Sequence, residues 1–515
     1  MSFQVRRVTE ARKKHRFPWA KLPLIIGILR PLTGWYRSWK MRKEEEARSS
    51  RRTLLLKRFL LVLIAVLCAF LLFAGTVKAL VSLHIISMRS LVSLTGTELP
   101  KDEQGFTNIL LLGQGDAGHD GKDLTDTIMV ASFDPANTKS IVLLSLPRDL
   151  YFLKSEKMGK GRINSLYRDY KILLKRQGKD DREASLEAMK ELGATIGAHL
   201  NLPIHHVIKA NFTGFEQAVD AIGGIDVIVP EAINDTEYPD ENYGYEPFEI
   251  PAGPARLDGK TALKYARSRH TSSDFDRSAR QQQIIVAIGE KVKKEGLYKD
   301  PTTVTDLLKV FSDNVLMTMT VRELISLAGL TEDMTPDHLI TMQLNDRNGL
   351  FDSIVEPGGF LYTPPRDQFD GASILLPVSI PEFPVTWKQV ETLSSLLFRQ
   401  RAIFLAHPKI AVLNAGAKSG LARKLGNELI RYGYDVERIE NMDVPKADLE
   451  AANMGSYVYA KNPEDAMAKN FFSDLLHFPI VTNPVPFIPE GQMEQIVIVL
   501  DDYAFQPLQD LLTTP

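Results

Sequence analysis

Asn108-Ile-Leu-Leu-Leu-Gly113, Asp126-Thr-Ile-Met-Val-Ala-Ser-Phe133 and Ser140-Ile-Val-Leu-Leu-Ser-Leu146 are three short apolar runs separated by turn-forming residues. Runs of this length, bounded by Gly, Asp and Pro, read as strands. The first ends in a glycine turn. The third is stopped by Pro147-Arg148-Asp149, since proline cannot continue a central ladder. The pattern then alternates. Residues 181–199 read as a helix, 207–210 as a strand and 212–221 as a helix halted by Gly223-Gly224, with 225–229 returning as a strand. Such alternation predicts an α/β fold, an α-β-α sandwich around a mixed sheet. Residues 231–256 form a polar, Tyr/Pro-rich excursion, long enough to rim or cover a site. Helices resume at about 303–311 and 321–329.

Further along, residues 341–407 read as a Pro/Gly-rich linker, and 408–503 as a separate small α/β domain. There Ile410–Asn414 is a strand, Ala415–Ser419 a turn and Gly420–Tyr432 an amphipathic helix. A strand follows near 434–439, and Ile496–Leu500 is the last strand.

The N-terminal side has a different character. Residues 1–58 carry 17 Lys/Arg against 4 Asp/Glu, a net +13 that leaves −15 on the rest of a chain whose total is −2. Phe59 to Val77 is uncharged and apolar over 19 residues, roughly 28 Å as a helix and long enough to span a bilayer core. Basic residues crowd its N-terminal flank, so the positive-inside rule predicts a cytoplasmic arm (1–58), one span (59–77), a stalk (78–104) and an exported main domain (105–340). The arm is expected to face anionic lipid rather than nucleic acid. The single cysteine, Cys68, lies within the span, which excludes an intrachain disulfide and a cysteine metal site.

The chemistry-bearing stretch is Asp258 to Gln283, which holds Arg267, Arg269, Arg277 and Arg280 followed by Gln281-Gln-Gln283. Arg267 and Arg269 share a face if that segment is extended. Arg277, Arg280 and Gln281 share one face of a helix running from about 276 to 294, near its N-terminal end, where an anion is favoured. Guanidinium forks match phosphate oxygens two at a time. The competing reading is a solvated basic helix face. Carboxylates gather at strand ends: Asp116, Asp120 and Asp123 in a Gly-rich loop, Asp126 opening the second strand, and Asp149 beside Arg148. Arg162 and Asn164 follow. Arginines and carboxylates in this mixture suit a Mg²⁺-assisted reaction at a phosphate or pyrophosphate. For at least two of the loop aspartates, turn chemistry is the better account.

In their order and spacing, these motifs resemble the LytR-CpsA-Psr family of bacterial envelope proteins over about residues 105–295. The carriers are Asn108–Gly113, Asp126–Val130, Ser145-Leu-Pro-Arg-Asp149, Arg162-Ile-Asn164, Phe215 with Ile222–Val227, Leu257–Arg269, and Asp276-Arg277 with Arg280-Gln-Gln282. Residues 408–503 resemble the C-terminal domain often attached to that family. The resemblance implies a membrane-anchored phosphotransferase. It would move a glycopolymer from an undecaprenyl-pyrophosphate carrier to a wall acceptor such as peptidoglycan, with Mg²⁺ or Mn²⁺. It assigns metal binding to Asp126, with Asp116 the nearest second ligand. Pyrophosphate binding falls to Arg148, Arg162, Arg267, Arg269, Arg277, Arg280 and Gln281. Arg148, Arg267 and Arg269 would assist catalysis, and Asp149 or Asp276 is a candidate base. Two positions depart from the family pattern: Leu124 stands where an arginine is frequent, and Gln114 where a second metal-site aspartate is usual. Rival readings are a pyrophosphatase that releases the polymer to water, a lipid-binding scaffold without turnover, and a transcriptional regulator. The last is disfavoured by the exported topology and by an arm without a helix-turn-helix pattern.

Overall fold

The computed structural model describes residues 98–116, 123–239, 244–268, 274–296, 314–330, 334–346, 359–377, 386–442, 455–481 and 494–501. The basic arm, the 59–77 span, most of the stalk, the 303–311 helix, Asp120 and Arg269 lie outside the described residues. Among the described residues, no helix is long and apolar enough to cross a membrane.

The three opening runs form strands β1 (Thr107–Gln114), β2 (Thr125–Asp134) and β3 (Ser140–Ser145). Helices α1 (Ile163–Arg176) and α2 (Asp181–Leu200) follow, then β4 (His206–Ala210) and α3 (Phe212–Ala221). Next come β5 (Ile225–Val229), β6 (Ile233–Pro239), β7 (Tyr245–Ile250) and β8 (Gly253–Leu257). Helices α4 (Gly259–Arg267) and α5 (Asp274–Lys294) precede β9 (Val315–Met317), α6 (Val321–Leu330) and β10 (Leu339–Gln343). One six-stranded sheet has the order β9-β4-β1-β2-β3-β10. It is mixed: β1–β2, β2–β3 and β4–β9 are antiparallel, whereas β1–β4 and β3–β10 are parallel.

Both faces of the sheet are covered, which is why its central strands are continuously apolar rather than alternating. Leu110, Leu112, Ile128, Val130, Val142 and Leu144 face one way and share a core with Leu166 and Tyr167 of α1 and Met189, Leu192 and Ile196 of α2. Met129, Ala131 and Leu143 face the other way, where Val286 of α5 packs on them. The β1–β2 register shifts between Gly113 and Gln114. A Cβ on Gly113 would stand 2.9 Å from Thr127 Cβ, so the close approach there needs glycine.

One expectation needs correcting and another gains detail. Arg267 does not lie in extended chain: it is the last residue of α4, which Asp258 caps by accepting from Thr261 N at 2.8 Å. The polar excursion after residue 230 contains a hairpin, β6–β7, packed inward through Tyr238 and Phe248. Helix α1 was not foreseen, although Leu166, Tyr167, Tyr170 and Leu174 recur at helical spacing and are all buried.

Past residue 386, the segment read as linker holds two helices, α7 (Lys388–Arg399) and α8 (Arg401–Ala406). Beyond them lie β11 (Ile410–Asn414), α9 (Leu421–Arg431), β12 (Val436–Asn441), β13 (Tyr457–Ala460), α10 (Ala466–Leu476) and β14 (Ile496–Leu500). Their sheet has the order β12-β11-β14-β13, with β13 antiparallel to its neighbour and the rest parallel. Leu393, Leu397, Phe404, Ile410, Val412, Leu425 and Ile498 belong to the same apolar core as α1, α2 and the first sheet. An aromatic cluster reinforces the junction: Phe152 stacks on His199 at 4.2 Å between centroids, and Trp387 meets His199 edge-on at 4.4 Å. Burial holds the His199 imidazole below its ordinary pKa, which favours the neutral ring that such packing requires.

Candidate active site

The charged residues collect where β2 begins and β3 ends. Arg148 leaves β3 through Pro147 and donates from Nη1 to Asp126 Oδ1 at 3.0 Å. Its Nε lies 3.6 Å from Asp149 Oδ2, and Arg162 Nη1 donates to Asp149 Oδ1 at 3.2 Å. The result is an alternating chain, Asp126–Arg148–Asp149–Arg162, whose side chains are each roughly a quarter to two-fifths exposed. A solvated pair of this kind adds little stability. It does fix where two guanidinium planes point. Asp149 is engaged on both oxygens by arginines, a poor arrangement for a base and a good one for a spacer.

Helix α5 closes the other side. Asp126, Ser145, Arg148, Arg277, Ser278 and Gln281 line one small pocket. Arg277 and Gln281 reach it from the first turns of α5, four residues apart and therefore on one face. The neighbouring glutamines diverge, each tying the helix to a different element. Gln281 Nε2 donates to Ala266 O of α4 at 3.3 Å. Gln282 Nε2 donates to Ser145 Oγ and to Met342 O of β10, both at 2.9 Å. Gln283 Nε2 donates to Ile228 O of β5 at 2.6 Å, and its Oε1 accepts from Tyr265 OH at 2.8 Å. Only the first reaches the pocket.

Arg280 turns away from it. Its Nε donates to Tyr265 O at 2.9 Å and its Nη2 to Ser268 O, and the residue is 8 % exposed. Burial lowers its pKa from the usual value. Arg280 thus ties together the end of α4 and the chain that follows, and this geometry does not suit the phosphate role expected of it. Arg267 does not line this pocket; it follows Ala266, whose carbonyl accepts from the pocket residue Gln281, and its guanidinium lies 4.2 Å from the Phe212 ring centroid with Nη1 donating to Tyr238 OH at 3.1 Å. Asp276 faces a different groove, of about 580 Å³, shared with Gln343 and Asn345, so it is not placed as a base for the Arg148 pocket.

Of the loop aspartates, only Asp123 shows turn geometry among the described residues; Asp116 bonds a distant helix start and Asp120 lies outside them. Asp116 accepts from Thr213 N at 3.3 Å and Thr213 Oγ1 at 3.0 Å, at the first turn of α3. Asp123 takes a left-handed conformation (φ 65°) and pairs with buried Lys171 at 3.1 Å. Gln114 Oε1 accepts from Lys209 Nζ. Burial, with the nearby Lys171 charge, brings the Lys209 pKa down to about 8, and its ammonium is 4.9 Å from the Tyr167 ring centroid. A lysine here is a poor neighbour for a second divalent ion.

No three carboxylates, imidazoles or thiols cluster as a metal cage among the described residues. Asp126 alone fits a Mg²⁺ ion, which commonly takes one or two carboxylates and completes its shell with phosphate oxygens and water. Asp116 is committed to Thr213 through both oxygens. Sequence reasoning missed Ser145 and Ser278 on the pocket wall, and Phe212 and Tyr238 around Arg267. Ser145 and Ser278 stood within the stretches singled out above, whereas Phe212 and Tyr238 stood in segments read only for their secondary structure or as an excursion.

Comparisons with known proteins agree with the motif reading. A profile of the LytR_cpsA_psr family matches residues 86–368, and one described as LytR cell envelope-related transcriptional attenuator matches residues 407–502. The chain is 28 % identical over 287 residues to the polyisoprenyl-teichoic acid–peptidoglycan teichoic acid transferase TagU of Bacillus cereus strain ATCC 14579, covering 55 % of this chain and 79 % of that protein. The protein of the same name from Bacillus anthracis strain CDC 684 is 31 % identical over 230 residues, 44 % of this chain and 65 % of its own length. Among solved structures, B. subtilis TagV aligns with a TM-score of 0.40 at 21 % identity, covering 58 % of this chain and 99 % of that one.

Proposed function

The chain belongs to the LytR-CpsA-Psr family, and we propose on that premise that it transfers a glycopolymer from a polyisoprenyl-pyrophosphate carrier to a peptidoglycan acceptor. Relatives named as teichoic acid transferases support the reaction class. The observation that carries it onto this chain is the pocket in which Asp126, Arg148, Arg277 and Gln281 converge. It offers two guanidinium groups, an amide and one carboxylate, the set needed to hold a pyrophosphate and a single Mg²⁺. The donor would be membrane-embedded, and the 59–77 span would keep the main domain at the outer surface beside it.

In this reading the acceptor hydroxyl oxygen attacks the sugar-linked phosphorus. The bond from that phosphorus to the bridging oxygen breaks, and lipid monophosphate leaves with the electron pair. The hydroxyl proton passes to water or to the departing phosphate. Arg148 and Arg277 hold the phosphoryl oxygens and offset charge as it builds in the transition state. Asp149 keeps Arg148 and Arg162 at a fixed spacing. Asp126 would hold Mg²⁺, which when bound neutralises phosphate charge. Its carboxylate would then exchange its Arg148 contact for the ion.

The test is transfer from a short-chain glycosyl-pyrophosphoryl-prenol to peptidoglycan fragments by the full-length protein in detergent, with Mg²⁺ and with EDTA. Metal-dependent, acceptor-dependent product is expected. Release of free glycan phosphate without an acceptor would favour a pyrophosphatase, and donor binding with no turnover would leave a scaffold.

A further inference from the structure

Arg267 is gripped by an element outside the pocket. Strand β6 alternates inward and outward as far as Asp235, after which its register with β7 shifts between Asp235 and Tyr238. In a regular strand, residues three apart point to opposite faces. The bulge puts both on the inner face: Asp235 is 1 % and Tyr238 3 % exposed, while Thr236 and Glu237 are exposed. Bulges commonly re-aim side chains in this way.

Both inward residues meet the last turn of α4. Asp235 Oδ2 accepts from Ser268 Oγ at 2.7 Å, and Tyr238 OH accepts from Arg267 Nη1 at 3.1 Å. One turn earlier, Lys264 pairs with Glu246 of β7 at 2.8 Å. The Arg267 guanidinium lies 4.2 Å from the ring centroid of Phe212, at the start of α3, and 5.4 Å from that of Tyr238. An arginine at a helix end has several rotatable bonds and much rotamer entropy to lose. Two neighbouring aromatic rings and a phenol oxygen restrict that freedom before any ligand arrives. Burial pushes the Tyr238 phenol up to about 12, so it remains a neutral acceptor at physiological pH.

We propose that Tyr238, delivered by the β6 bulge, is a positioning residue that pre-orients Arg267 for a pyrophosphate-bearing ligand. This rests on the phosphate reading of the neighbouring pocket. Preorganisation of this kind improves binding by removing an ordering cost rather than by adding a contact to the ligand.

A double-mutant cycle on the full-length protein tests it, with farnesyl diphosphate binding as the readout and thermal unfolding alongside. Tyr238→Phe keeps the ring and removes the oxygen. It is expected to weaken binding about fivefold when Arg267 is present and less than twofold in the Arg267→Ala background. Equal losses in both backgrounds would show that Tyr238 acts through the fold, and unchanged binding in Arg267→Ala would leave it nothing to position; either result overturns the proposal. Should the cycle couple as expected while the wild-type protein transfers nothing to peptidoglycan, the positioning role stands and the transferase reading falls.

Discussion

The two ends of the β2–β3 hairpin each receive an arginine, and the two have opposite fates. At the open end, Arg148 is about a quarter exposed, touches the carboxylates of Asp126 and Asp149, and lines a pocket. At the turn end, Arg401 comes in from α8 and is 1 % exposed. Its Nη1 donates to Ser132 O at 3.1 Å and Ser140 O at 3.3 Å, its Nη2 to Ser132 Oγ and its Nε to Phe398 O at 2.9 Å, and it lies 4.0 Å from the Phe106 ring centroid. Burial brings its pKa down to about 10. One guanidinium is held by two carboxylates at a small polar pocket. The other is consumed by backbone carbonyls and joins the C-terminal helices to the first sheet. The two arginines differ in what their N–H groups face, not in charge.

The contrast can be broken by removing each arginine in turn. Arg148→Ala is expected to lower transfer by about 100-fold or more, as loss of a transition-state donor does, with little change in unfolding temperature. Arg401→Ala should do the reverse. It removes a donor from three buried carbonyls and from Ser132 Oγ, which keeps its bond to Asn108, costs about 2–4 kcal/mol of stability by denaturant unfolding, and leaves the rate per folded molecule within about twofold, far short of the Arg148 effect. Arg280→Ala sharpens the same line within a single helix. It should cost about 1–3 kcal/mol through the α4 corner and raise the donor KM less than Arg277→Ala does.

A smaller effect concerns Lys209. Its folded pKa, about 8, lies below the ordinary lysine value of 10.5, so between those values the unfolded chain binds more protons than the folded one. Stability therefore rises as pH increases from about 8 to 10.5, and the penalty of the buried charge is fully present below 8. Lys209→Met should flatten that rise, as read by unfolding free energy against pH. An unchanged slope would mean that the ammonium is better solvated than its burial suggests.

Much of this was legible in the chain. The apolar runs at 108–113, 126–133 and 140–146 announced the sheet because burial on both faces leaves no polar alternation to confuse them. Asp126, Arg148, Arg277 and Gln281 stood at strand ends or on one helix face, where local spacing is enough to bring them together. Arg280 could not be sorted from Arg277 in this way. Three residues apart on a helix, they share a general side, and only the packing of α4 decides that one reaches carbonyls and the other a pocket. Tyr238 was illegible for a related reason: its inward aim depends on a bulge whose position is set by pairing with β7. The α7–α8 pair was hidden because the proline- and glycine-rich sequence before it set the reading of the whole segment. Helix α1 was overlooked beside a conspicuous Arg162-Ile-Asn164 motif, although its own periodicity was sufficient.

The most direct test of the central claim compares two proteins, Arg148→Ala and Arg401→Ala, in the Mg²⁺-dependent transfer assay at a temperature where both are folded by circular dichroism. The account predicts that product is lost in the first and retained in the second. Retention of transfer in Arg148→Ala, or equal loss in both, would contradict the assignment of the Asp126–Arg148–Arg277 pocket as the place where phosphorus is transferred.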